Sequence, residues 1–453
     1  MRIGARQGHG PPKAYSRRGS RRRHRVAKLA WLALLAGTAS AGAQEVPPMR
    51  PEQRWGIGIG LRYAHFPFAV PDQSATDLVP LLFYEGERVF LRGMEGGVGL
   101  FGNARWRLNA YMRYRFPDGP STADEVRRDA WDIGPQLRYT FDDGLELRSE
   151  LLSDGDGRTY LDVGVERRFG DDHARFEPYV GARIKSAAFN DWYFGLAREE
   201  LGAGIDVRAH LQGRLHLAGN LFLIGRVGGY YLDHDARKSP LFEDDVGWEA
   251  FAGVAFFNDP GRRRKDAPAF SPYWRLAHGW ATPSTLGQIL TGDSEEDEFN
   301  NQLTSFFYGH PLSDELFGLP LDIYLTPGLV VHHGSDVQDR SFEYVIAIKA
   351  YYTAKWPVRL RFGVAEGFSY VRQVTYIERT NLEDKGNTPS RLLNYLDLSI
   401  DVNVGDLLGA RPAKRLWLGY GIHHRSGIFE SGSQFGDIRG GSNYNTVYLQ
   451  WHF

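Results

Sequence analysis

The sequence predicts an all-β protein, an antiparallel transmembrane β-barrel of the outer-membrane kind. Three observations carry this. Strict period-two alternation recurs in segments of barrel-strand length. No run of about 18 apolar residues follows the first 43 positions, so no spanning helix is encoded. Aromatic residues make up 13% of the chain and gather near the ends of the alternating segments, where membrane barrels place their interface girdles. The mean hydropathy of −0.40 agrees, because only alternate residues of a barrel strand meet lipid.

A chain of 453 residues exceeds what one compact core takes, so two units or one large barrel are expected. With no cysteine, disulfides, thiolate metal sites and a cysteine nucleophile are excluded. Residues 1–43 carry ten Lys/Arg and no acid, which leaves 44 basic against 55 acidic residues and a net charge of about −11 beyond them. Such an acidic body lacks the basic face that nucleic-acid phosphates require. The leader reads as an export signal: a basic stretch, the short apolar run Leu29–Ala36, and the small-x-small site Ala41-Gly42-Ala43, with Gln44 as first mature residue.

The first segment after the leader fixes the strand reading. Trp55, Ile57, Ile59, Leu61 and Tyr63 share one face, and Gly56, Gly58, Gly60, Arg62 and Ala64 the other. Further strands are predicted at Leu78–Tyr84, Val89–Arg92, Trp106–Phe116, Ala130–Phe141, Leu145–Leu152, Thr159–Phe169, Ala174–Lys185, Gly204–Leu217, Leu221–Leu232 and Gly247–Phe257. Their connections are rich in Asp, Gly and Pro, the residues that suit turns. Asn258 to Ala269, with Pro, Gly and a basic run, interrupts the pattern and reads as a linker. Eight more strands follow: Tyr273–Thr282, Leu303–His310, Leu321–His333, Phe342–Thr353, Val358–Gln373, Leu392–Val404, Arg415–Ser426 and Asn443–Phe453. The expected organisation is a leader over 1–43, a barrel over 44–257, a linker over 258–269 and an eight-stranded barrel over 270–453. The two barrel units would hold about 12 and 8 strands; the alternative is one barrel of about 20.

Gly56-Ile-Gly-Ile-Gly-Leu-Arg-Tyr, Leu81-Leu-Phe-Tyr-Glu-Gly-Glu-Arg-Val-Phe-Leu-Arg92 and Ser239-Pro-Leu-Phe-Glu-Asp-Asp-Val-Gly-Trp248 on to Phe257 make the first unit resemble the MipA/OmpV family. The resemblance implies an outer-membrane barrel of a Gram-negative envelope. For one branch of that family it also implies a scaffold for periplasmic murein hydrolase and synthase.

The end of the chain carries the catalytic spacing. In the penultimate strand Leu416, Leu418, Tyr420, Ile422, His424 and Ser426 share one phase; in the last, Asn443, Asn445, Val447, Leu449, Trp451 and Phe453 do. With the Leu/Val faces on lipid and a periplasmic C-terminus, His424, Ser426 and Asn443 point outward at the extracellular rim, the depth of lipopolysaccharide. A polar cluster there needs a reason; strands that end earlier, leaving rim groups in the headgroup zone, would supply a bland one. The stretch Gly421-Ile-His-His-Arg-Ser-Gly-Ile428 resembles the lipid A 3-O-deacylase family of the PagL type. That resemblance implies a cofactor-free serine esterase acting on lipopolysaccharide acyl chains, with Ser426 as nucleophile, His424 as base and Asn443 in the place of an acid. An imidazole is needed because a hydroxyl is a poor nucleophile until its proton is taken. Gly427 stands where that family has Asn, and Glu430 and Asp437 are the fallback acids.

Other polar features read more weakly. His332-His333 and His423-His424 are adjacent on strands, point to opposite faces and do not chelate together. Asp293 to Glu298 is an exposed acidic loop. Glu366 calls for a bulge at Gly363 or Gly367, or a lumen salt bridge to Arg359 or Arg361. No phosphate loop, zinc motif or nucleotide fingerprint is present.

Overall fold

A computed structural model describes residues 55–116, 118–120, 130–259, 270–355, 357–384, 389–426 and 441–453. The leader expected over 1–43 and all but the first two residues of the linker lie outside these. The strands are β1 Trp55–His65, β2 Ser74–Glu85, β3 Val89–Gly93, β4 Glu95–Gly102, β5 Trp106–Arg115, β6 Ala130–Thr140, β7 Leu145–Ser153, β8 Thr159–Arg167, β9 Phe169–Gly170, β10 Ala174–Lys185, β11 Gly204–Ala218, β12 Leu221–Tyr231 and β13 Val246–Phe257. The second set is β14 Tyr273–Thr282, β15 Gln302–Ser313, β16 Leu321–His332, β17 Ser341–Lys355, β18 Arg359–Val371, β19 Leu392–Asn403, β20 Leu416–Ser426 and β21 Gly441–His452.

Each set closes on itself. β13 returns to β1, from Gly56↔Phe257 to His65↔Trp248. β10 pairs with β11 along its whole length, so twelve strands plus the two-residue β9 form a ring. β21 returns to β14, from Tyr273↔His452 to Thr282↔Asn443, and closes eight strands. Two barrels therefore stand in place of the single twenty-stranded alternative. Both obey the same rule. Connections at the end that holds the strand termini are mostly short, such as 86–88, 141–144 and 219–220, whereas those at the far end are long, such as 186–203, 283–301 and 372–391. This asymmetry belongs to outer-membrane barrels, with the far end extracellular.

Alternation sets the faces. Leu61, Leu276, Leu449 and Val447 point outward and are exposed, as a lipid-facing band requires. At the terminus end Trp274 stacks on Phe306 and on Phe453, with ring centroids 5.0 and 5.8 Å apart, and forms part of an aromatic girdle. The eight-stranded interior is too narrow for a channel and is filled by side chains. Asp397 accepts from Arg275, at 2.5 Å, and from Lys349; Arg361 holds Asp401 at 2.6 Å, and Tyr448 donates to the same carboxylate. A Cβ at Gly309 would enter the ring of Tyr273, so a glycine is required where that tyrosine crosses the lumen.

Several expectations change. β4 was not predicted: its sequence Glu-Gly-Gly-Val-Gly-Leu-Phe-Gly has too few side chains to alternate. Short helices over Ala187–Tyr193, Leu286–Thr291 and Tyr376–Asp384 occupy far-end loops and carry too few turns for a periodic signal. Glu366 needs no bulge, because β17 and β18 pair in unbroken register. It lies in phase with Val364 on the outer face and is exposed. Arg359 and Arg361 are committed instead to Asp406 and Asp401.

Asp397→Leu strands two buried cations and should cost on the order of 3–5 kcal/mol. Asp406→Asn, at a more exposed pair in a terminus-end turn, should shift stability far less. Urea-unfolding midpoints of the two variants in detergent check this; equal midpoints would contradict the packed ion network.

Candidate functional site

β19, β20 and β21 run side by side, and at their far end the two faces carry different chemistry. The inward phase of β20 joins the lumen network. His423 lies 3.1 Å from the Glu343 carboxylate, which His332 also contacts at 2.7 Å and to which Ser369 donates at 2.6 Å. Arg425 is fully buried and pairs with Glu378 of the helix Tyr376–Asp384, which Ser442 also contacts. Burial raises the Glu378 carboxyl above its usual range, against the opposing pull of Arg425.

The outward phase holds the sequence-predicted residues. His424 faces Asn443 directly across the β20–β21 pair, and its Nδ1 lies 2.5 Å from Asn443 Oδ1. The amide of Asn443 is fixed from its other end, since Nδ2 donates to the carbonyl of Ser284 at 2.8 Å. With Nδ2 so used, Oδ1 is the acceptor, His424 carries its proton on Nδ1, and Nε2 is left with a free lone pair. Ser284 begins the 283–301 connection, which folds back over the outer face of β21; farther along it Ser294 accepts from Asn445 at 2.7 Å. The helix Leu286–Thr291 within this connection has a complete capping box from Thr285 and Gln288. This cover was not foreseen from sequence.

Ser426 shares the face of His424, but the two are not hydrogen-bonded. Its Oγ is buried and has no partner among the described residues. The reason lies in strand geometry: residues i and i+2 on one face stand about 7 Å apart at the backbone, so their side chains must lean together to meet. The imidazole leans sideways to Asn443 instead. Directly across β19 from Ser426 stands Asn394. It is 3% exposed, and its Nδ2 also has no partner among the described residues. Glu366 neighbours Asn394 on the adjoining strand. Sequence reading missed Asn394. The only signal was a polar residue in the outward phase of β19, and its meaning depends on a register that the sequence does not state.

The depth of the site follows from its neighbours. Thr282 pairs with Asn443, and the exposed Trp280 pairs with Asn445. His424 and Asn443 thus sit two residues, about 7 Å, beyond a girdle tryptophan toward the far end. A second outward polar cluster lies nearby on β14 to β16. Thr304 Oγ1 is 3.1 Å from His278 Nδ1 and 2.9 Å from His333 Nε2. His332 and His333 point to opposite faces, and no metal-holding cluster exists among the described residues. The fallback acids Glu430 and Asp437, and Gly427, lie outside the described residues. The acidic run Asp293–Glu298 is largely exposed. The outer face of β19 to β21 thus brings together the His424–Asn443 dyad, Ser426 Oγ, which has no partner among the described residues, and Asn394 beside the Glu366 carboxylate.

Comparison with known proteins bears on the other barrel. The family model of the MltA-interacting protein MipA matches residues 57–257, the span of the first barrel. Among curated proteins nothing matches. Similar solved structures include a bacterial polysaccharide outer membrane secretin (10% identity, 89% of this chain and 99% of that one, TM-score 0.21). Others are OprB of Pseudomonas putida (10%, 88% and 94%, 0.23) and OccAB3 of Acinetobacter baumannii (11%, 88% and 98%, 0.20). At such TM-scores these likenesses carry no argument. The MipA match and the two closed barrels with apolar outer bands support an outer-membrane barrel protein.

The His424–Asn443 bond fixes a tautomer, and this is measurable. In a 15N-edited imidazole spectrum His424 should be protonated at Nδ1, and Asn443→Leu should abolish that preference while Asn443→Asp keeps it. A wild-type ring protonated at Nε2 would contradict the geometry.

Proposed function

We propose that the eight-stranded barrel of this outer-membrane protein is a serine esterase that removes an ester-linked acyl chain from the lipid A of lipopolysaccharide, without a cofactor. The observation that carries this reading is the fixed tautomer of His424: Asn443 occupies Nδ1 and leaves Nε2 as a base, on the same outer face as the unbonded Ser426 Oγ. In the reaction Ser426 Oγ attacks the acyl carbonyl carbon as His424 Nε2 takes the hydroxyl proton. The tetrahedral intermediate collapses by expelling the sugar alkoxide, which receives that proton, and an acyl-serine remains. Water, deprotonated by the same nitrogen, then releases the fatty acid. Asn394 Nδ2, across from the nucleophile and beside the Glu366 carboxylate, turns to donate to the oxyanion.

The gap between His424 and Ser426 closes only when substrate is bound, as apo catalytic hydrogen bonds often do. Asn443 orients the imidazole but adds no charge to stabilise imidazolium, so the rate is expected to be low. The headgroup-level depth of the site fits an acyl ester close to the sugar. The export leader over 1–43, cleaved after Ala43, belongs to the same reading.

A second reading is favoured by the MipA match: the first barrel as a non-enzymatic scaffold for a periplasmic murein hydrolase or synthase. The two readings separate cleanly. Lipid A from cells expressing the wild type should lose the mass of one ester-linked acyl chain, Ser426→Ala should leave it intact, and Asn443→Asp should increase the deacylated fraction. Lipid A unchanged by the wild-type protein would sink the esterase and leave the scaffold.

A further inference from the structure

The two barrels differ in what fills them. The eight-stranded lumen is packed, but the twelve-stranded lumen holds a cavity of about 440 Å³ toward the terminus end, adjoined by a second of about 320 Å³ that shares several of its residues. Ten arginines and six glutamates line the larger one. Each of those glutamates is already ion-paired to an arginine, and Asp77, Asp118 and Asp142 pair further with Arg62 and Arg105, so most of the lining arginines are matched.

One inward arginine is not. Arg175 on β10 points inward and is 8% exposed, and its Nε and Nη2 have no hydrogen-bond partner among the described residues. Directly across the strand pair stands Arg214, which has interactions of its own and lies 5.4 Å from the rings of Phe222 and Phe257. Like charges directly opposite on neighbouring strands destabilise each other, and buried guanidinium N–H groups are costly to leave unbonded. Glu177, on the same face of β10, and Asp172 offset the two charges at a distance, but the Glu177 carboxylate bonds to Arg168 at 2.6 Å and Gln212 at 2.9 Å and leaves the Arg175 donors unbonded. The lining also includes an apolar group from β2, β12 and β13: Leu81, Phe83, Ile224, Phe251 and Phe257.

We infer that the terminus-end lumen of the first barrel is a binding site for a small organic oxyanion, a carboxylate or phosphate head on an apolar body, with Arg175 as its primary anchor. A planar guanidinium matches such a head through paired N–H donors, and the apolar residues of the lining take the body. The site is independent of the esterase reading, since it lies in the other barrel.

Calorimetric titration of the full chain in nonionic detergent tests this with benzoate and phenyl phosphate as probes, against acetate, chloride and benzylamine. Benzoate or phenyl phosphate should saturate one site, with acetate and chloride weaker by about tenfold or more and benzylamine silent. Arg175→Gln should weaken the bound probe by about tenfold, whereas Arg167→Gln, at an exposed pair with Asp143 outside the cavity, should not. Barrel folding of each variant is checked by heat-modifiable gel mobility, and if Arg175→Gln fails to fold the wild-type probe series decides alone. Absence of saturable binding by both aromatic anions, chloride binding as tightly as benzoate, or a folded Arg175→Gln that binds like the wild type would each overturn the site.

Discussion

Within a bilayer no water is present to satisfy a strand's open edge, so every backbone N–H and C=O must find a partner inside the protein. That constraint decides the architecture here. β13 satisfies β1, and β21 satisfies β14, so the chain closes twice. The size of each ring then dictates its interior. Eight strands leave room only for side chains, and the lumen becomes a ladder of buried ion pairs around Asp397, Asp401 and Glu343. Twelve strands leave a chamber, lined at the terminus end by paired charges and by the unbonded Arg175 donors. One rule thus yields a rigid pedestal and a cavity in the same chain.

The pedestal matters for the outer face. Because side chains alternate, a strand whose inward residues are locked holds its outward residues in place too. His423 and Arg425 are buried in the lumen network, and between and beside them His424 and Ser426 are turned to the outside. Registration with β21 then sets His424 against Asn443, and registration with β19 sets Ser426 against Asn394. The polar row on the lipid-facing rim is a product of inter-strand register. It is covered in part by the connection that supplies Ser284.

Alternation made the strands legible in the sequence, since a face that meets lipid and a face that meets a polar lumen leave a period of two. It also gave the phase of His424, Ser426 and Asn443. Where side chains were missing the signal failed, as in the glycine-rich β4. A charge among outward apolar residues, such as Glu366, looks like a break in phase in the sequence; the unbroken pairing of β17 with β18 shows that it keeps phase. Asn394, Ser284 and the Arg175–Arg214 opposition were invisible for a deeper reason. Each gains meaning from a partner on another strand or loop, and cross-strand register is set by closure of the whole ring.

Double closure is the claim on which both sites rest, and the absence of native cysteine allows a direct test. Introduced pairs at Ile59→Cys with Val254→Cys, and at Leu276→Cys with Leu449→Cys, face each other across the two seams. Directly opposed residues of an antiparallel pair have Cβ atoms about 5 Å apart, within reach of a short thiol cross-linker. Both pairs should cross-link within one chain in the outer membrane, and Val254→Cys with Leu276→Cys should not. Efficient linkage of that last pair, with neither seam pair reacting, would mean that β13 joins β14 in a single large barrel and would contradict the account.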